Sequence, residues 1–86
     1  MKTEYKWISF EDISHLYPRK KTQTWLCLSR NRVELGRVKW WSQWRQYCYY
    51  PNNSAVYNVE CLNDIASFIK QLMNERKKKL EESKNE

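Results

Sequence analysis

The 86 residues include a single glycine, Gly36, and two prolines, Pro18 and Pro51. One glycine cannot build a loop that cradles phosphates in its backbone, so nucleotide-binding folds of that kind are excluded. The three cysteines, Cys27, Cys48 and Cys61, are an odd number with no CxxC spacing, and His15 is the one histidine. That set argues against a disulfide framework and against a zinc site, and fits a reduced compartment with buried apolar thiols. No metal and no cofactor is expected. No apolar run approaches the ~20 residues of a membrane span. The start, MKTEYKW, lacks the apolar stretch of a signal peptide. The expected protein is soluble and cytoplasmic, with no membrane partner. Catalytic constellations are missing too. His15 stands beside an apolar stripe without a nucleophile, Glu11-Asp12 reads as charge at a helix start, and no base is placed beside Cys27. A non-enzyme is expected.

Aromatics and cations are plentiful. Five Trp, six Tyr and two Phe compensate for a chain close to the lower size at which one core suffices. Sixteen Lys and Arg against ten acids give a net charge of +6. The surplus is concentrated: residues 19–49 carry eight cations against Glu34 alone, while residues 50–69 carry only Glu60 and Asp64. Such a footprint suits a polyanionic partner. The two abundances coincide in residues 35–51, LGRVKWWSQWRQYCYYP, where Trp40, Trp41, Trp44, Tyr47, Tyr49 and Tyr50 alternate with Arg37, Lys39 and Arg45.

The periodicities predict α+β architecture in α-β-β-β-α order: a three-stranded antiparallel sheet, a C-terminal helix on one face, and a short N-terminal helix or extended segment. Ser9-Phe10-Glu11-Asp12 reads as a helix start stopped by Pro18. Residues 22–30, 34–41 and 44–50 read as strands. Asn31-Arg32 marks one turn. Ser42-Gln43 marks another, wider than two residues because it lacks the Gly or Asn of a tight hairpin. Cys61, Leu62, Ile65, Phe68, Ile69, Leu72 and Met73 recur at helical spacing, with Asn58 or Asn63 as the cap. Three stretches follow: an N-terminal segment with a short helix (1–21), a sheet-plus-helix body (22–73), and a charged helical extension or frayed tail (74–86). Lys77-Lys78-Lys79 in that tail reads as a solvated run.

Strand alternation sorts the side chains into two faces. Val38, Trp40, Cys48, Tyr50, Leu26 and Leu28 are expected under the helix. Trp25, Arg37, Lys39, Trp41, Arg45, Tyr47 and Tyr49 are expected on the other face, as candidate binding residues. Such a face can stack bases while its cations take phosphates, or lay its strands in a major groove. Two competing arrangements remain open: residues Trp7 to Tyr17 folded over this face, burying Trp41 and Tyr47, or two copies buried against each other as a homodimer. The expected partner is DNA or RNA. A host protein, docked by the same Trp, Tyr and Arg as in an inhibitor module, or a sequestered small nucleotide, is the alternative.

Residues 24–72 resemble a group of short uncharacterised proteins from bacteria, phages and mobile elements. The shared pattern is an LG-x-hydrophobic-KW strand, a WRQYC strand ending near proline, and a CL-x-x-I-x-x-FI helix. The resemblance implies a three-stranded sheet with a C-terminal helix, in a group whose activity is not established. In element order the chain is also similar to double-stranded-RNA-binding domains. However, Val59-Glu60-Cys61-Leu62-Asn63-Asp64 stands where that family has a lysine-rich helix start, which argues against duplex-RNA binding. Plant ethylene-response-type domains and the arm-binding domains of tyrosine integrases offer a nearer mechanical analogy, at the level of fold alone.

Overall fold

The computed structural model describes residues 1–84, with side chains described as far as Glu81. Four strands form one antiparallel meander in the order β1-β2-β3-β4: β1 (Ile8–Asp12), β2 (Thr24–Ser29), β3 (Glu34–Trp41) and β4 (Gln46–Pro51). A 26-residue helix, α1 (Val59–Lys84), follows and covers one face. The sheet thus has four strands where the sequence predicts three.

The extra strand replaces the expected N-terminal helix. Ile8 and Phe10 are buried while Ser9 and Glu11 are not, a two-residue period that β2 stabilises by pairing Phe10 with Cys27 and Glu11 with Leu26. Ser9 is therefore a strand residue and caps nothing. Helical structure in this segment is one 3-10 turn, Ser14–Leu16, entered where the Ser14 N–H donates to Asp12 Oδ1 at 2.8 Å. Residues 2–5 fold back on β1 and onto the helix. Phe10 N–H donates to the Thr3 carbonyl, and the Gln71 amide exchanges two 2.9 Å bonds with the Lys2 backbone.

The loops follow from local chemistry. Between β2 and β3, Ser29 N–H donates to the Val33 carbonyl across a three-residue turn in which Arg32 takes the left-handed conformation at φ 66°. Between β3 and β4, residues 42–45 make a four-residue turn that ends with Arg45 at φ 54°. Asn58 is the helix cap: its Oδ1 accepts the Cys61 N–H at 2.7 Å. Glu60 in the first turn complements the helix dipole and also accepts the Trp7 indole N–H at 3.1 Å. Cys61, Ile65, Phe68 and Leu72 form the buried stripe of α1, over Ile8, Phe10, Trp25, Cys27, Val38 and Tyr47. The helix does continue through the charged stretch as far as Lys84; Asn85 and Glu86 of the expected extension lie outside the described residues.

Candidate functional site

Strand register decides which side chains are available for binding. Partners in an antiparallel ladder share a face, and β3 pairs with β4 as Arg37↔Tyr50, Val38↔Tyr49, Lys39↔Cys48, Trp40↔Tyr47 and Trp41↔Gln46. On β2, Trp25 pairs with Val38, Cys27 with Gly36 and Leu26 with Arg37. The helix therefore sits over Val38 and Trp40 as expected, but with Trp25, Cys27, Tyr47 and Tyr49 rather than Leu26, Leu28, Cys48 and Tyr50. The cause is parity. A four-residue turn joins Trp41 to Gln46, whereas a three-residue turn would have joined it to Arg45 and turned every β4 side chain over. On β2, a register shift between Cys27 and Leu28 has the same consequence.

The seven candidate residues are consequently divided. Arg37, Lys39 and Trp41 stand half-buried on the open face, and Arg45 is exposed at the end of the turn. Trp25 and Tyr47 are buried under α1, and Tyr49 is half-buried against the same core. Trp25 meets Phe68 edge-on at 5.1 Å and satisfies its indole N–H with Gln23 Oε1 at 2.8 Å. Tyr47 Oη accepts the Gln23 N–H at 3.1 Å. These three side chains build the core, which corrects their expected placement on the free face.

Tyr50, Trp44 and Cys48 join the open face in their place. Lys39 Nζ lies 4.3 Å from the centre of the Tyr50 ring. Tyr50 meets Trp41 edge-on at 6.3 Å, and Trp41 meets Trp44 at 6.5 Å. Trp44, at the hairpin tip, is 68% exposed. At the other end, Arg37 donates to Tyr17 Oη at 2.6 Å and lies 3.5 Å from Glu34. The N-terminal segment thus reaches this face at Arg37 through Tyr17 but does not bury Trp41, while Ile8 and Phe10 go to the helix side. The result is a continuous stripe of Arg37, Tyr50, Lys39, Trp41 and Trp44. Geometrically it offers ring faces and edges interleaved with two cations, suited to stacking and to anion contact. Cys48 lies within it, opposite Lys39.

The helix side carries a different chemistry. Tyr57 donates to the Leu35 carbonyl at 2.6 Å, which leaves Tyr49 to donate to Tyr57 across 2.7 Å. Burial raises both phenols above their ordinary value, Tyr49 the more strongly. Burial also pushes the Cys27 thiol from 9.0 up to about 11, partly opposed by the Tyr49 hydroxyl beside it. All three groups hold their protons more tightly in the folded chain than in the unfolded one. Their contribution to stability is full below about pH 9 and is lost as pH rises through the folded value. For Cys27 alone this is on the order of 2–3 kcal/mol. Urea midpoints should hold steady up to pH 9 and then fall towards pH 11, less steeply in Cys27→Ala; a flat alkaline profile would contradict the burial of these groups. A thiol so held is not a nucleophile at neutral pH.

Among the described residues no group of His, Cys, Asp and Glu is placed to hold a metal ion, and no helix is long and apolar enough to cross a membrane. The fold and the face define a class: a small α+β protein whose sheet is closed by a helix on one side and presents basic and aromatic residues on the other. Comparison with known proteins places it further. An "Uncharacterized 9.3 kDa protein" of Acholeplasma phage L2 is 40% identical over 62 residues, which cover 71% of this chain and 80% of the phage protein. The chain belongs to the family of that phage protein. No protein-family profile matches the chain, and no solved structure does.

Proposed function

We propose that the chain is a non-enzymatic nucleic-acid-binding module acting through the open face of its sheet. The observation that carries this reading is the stripe Arg37-Tyr50-Lys39-Trp41-Trp44, partly exposed on the face that α1 does not cover. Trp44, 68% exposed, gives a base a surface on which to stack, worth about 1–3 kcal/mol per base, and the partly exposed rings of Trp41 and Tyr50 continue that surface along the face. Lys39 and Arg37 stand where the sugar-phosphate chain would pass. The charge surplus of residues 19–49 adds the long-range attraction that brings a polyanion to this surface.

Trp44 and Lys39 are the residues to remove, since neither is part of the buried core. Trp44→Ala is expected to weaken oligonucleotide binding by about 5- to 150-fold, the equivalent of one lost stack. Lys39→Ala is expected to lower the slope of log affinity against log salt by about 0.7–0.9, one phosphate contact. Titration of a fluorescent oligonucleotide at several salt concentrations reads both effects. Variants that bind like the parent, or a parent that does not bind at low salt, would overturn the proposal. Docking onto a host protein, or onto a second copy of the chain, would use the same rings as apolar anchors. Its mark would be a complex indifferent to salt.

A further inference from the structure

The C-terminal half of α1 outruns the sheet. The helix rises about 39 Å over its length, whereas the eight residues of β3 extend about 26 Å. Among the described residues Leu72 is its last buried one. Beyond it the helix overhangs the β3–β4 turn and residues 21–23, and two hollows that share Arg76 open there. One, of about 80 Å³, is lined by Lys21, Gln23, Tyr47, Glu75, Arg76 and Lys79. This is room for roughly two to three waters, or for a phosphate group. The other, of about 410 Å³, lies between Trp40 and Arg45 of the hairpin and Arg76, Lys77 and Leu80 of the helix. Arg76 is held over the Trp40 ring, its guanidinium carbon 4.2 Å from the ring centre.

Five cations converge on these hollows, and among the described residues none of them forms an ion pair. Glu75 is the opposing carboxylate in the smaller hollow, which leaves it a net charge of +2. Like charges gathered without partners repel one another, and a bound anion would relieve the repulsion. The hollows are on the helix side of the sheet, and the aromatic stripe is on the other side. Between the two lies only the turn, residues 42–45, with Trp44 and Arg45 both exposed.

We propose that the cleft is the second half of one binding surface: it takes the phosphates of a single-stranded nucleic acid whose bases lie on the open face, the strand bending around the hairpin tip. A duplex, stiff over ~150 base pairs, cannot turn around four residues to touch both sides of a sheet; a single strand can. Trp44 at the bend provides a stacking surface midway, and Arg45 leads from it to Arg76, Lys77 and Lys79. This inference rests on the nucleic-acid reading of the open face.

The test uses the full chain, an oligothymidylate of about 20 nucleotides, comfortably longer than the ~4–16 bound by one small domain, and a duplex of the same length. The Lys77→Ala/Lys79→Ala variant changes only exposed side chains. It is expected to bind the single strand about tenfold more weakly, with a salt slope lower by about 1.4, two single-strand contacts. The parent should prefer the single strand, and duplex binding should be unmoved by the variant. Lys6→Ala/Arg30→Ala removes the same charge from exposed positions away from the cleft and should change the slope little. If both double variants lose equally, or if the duplex binds as tightly as the single strand, the cleft is not a contact. Weakened binding in the Lys39 and Trp44 variants with none in the Lys77/Lys79 variant overturns the cleft alone. No effect at either place overturns the open-face reading, and this inference with it.

Discussion

Replacing Gly36 with alanine is expected to destabilise the fold by about 2–4 kcal/mol. That is a large share of the ~4–13 kcal/mol that a chain of this length has in total. A Cβ at this position would lie 2.5 Å from Tyr49 Oη, 2.7 Å from Tyr49 Cζ and 2.6 Å from the Tyr50 carbonyl oxygen. The ring can move aside only by giving up the 2.7 Å bond between Tyr49 and Tyr57, and the carbonyl belongs to the neighbouring strand. The sign of the result is informative. Gly36 has no positive φ, and a strand glycine with open space around it gains about 0.5–1 kcal/mol on becoming alanine. Urea unfolding distinguishes the two cases. Tyr49→Leu in the Gly36→Ala background should recover part of the loss, since the phenol goes while the Tyr50 carbonyl stays. A Gly36→Ala protein as stable as the parent would mean that Tyr49 does not cross Gly36, and the register of β4 would be wrong.

The second large effect is expected at Phe68. Its side chain is fully buried, stacks on Phe10 with ring centres 3.9 Å apart and planes within 1°, and meets the edge of Trp25 at 5.1 Å. It therefore ties α1 to β1 and β2 at once. Phe68→Ala should cost about 3–5 kcal/mol, since the flat rings around it cannot collapse into the space it leaves. Leu62→Ala, on the same helix but 54% exposed, should stay within about 0.5 kcal/mol. Thermal unfolding of the two variants beside the parent checks the contrast. Similar losses in both would show that the helix packs on the sheet by some other face.

How far the sequence foretells this fold depends on the element. The helix is legible, because Cys61, Ile65, Phe68 and Leu72 repeat at helical spacing over a long run and Asn58 precedes them. β3 is legible from its alternation, and with it the shared face of Arg37, Lys39 and Trp41. β1 is not. Ser9 followed by Glu11 and Asp12 has the look of a helix start, and five residues of two-residue alternation carry little weight until a neighbour such as β2 is there to pair with them. The faces of β4 are hidden for another reason. They depend on whether the turn after Trp41 has three residues or four, and the deciding residue is Arg45, which adopts a left-handed conformation that sequence normally signals with Gly or Asn. Hence Tyr47 and Tyr49 change sides, Tyr50 takes their place, and Trp44 moves from strand to tip. The cleft is hidden as well, because Arg76 and Trp40 meet only once the helix lies across the sheet.

The central claim, that the face bearing Lys39, Trp41 and Tyr50 contacts nucleic acid, meets its most direct test at Cys48. This thiol is half-buried on that face opposite Lys39, while Cys27 and Cys61 are buried. Alkylation followed thiol by thiol in the native parent should modify Cys48 and spare the other two. A saturating single-stranded oligonucleotide at low salt should slow Cys48 by about tenfold, and high salt should restore the rate. An oligonucleotide that is bound while Cys48 reacts at its free rate would contradict the account.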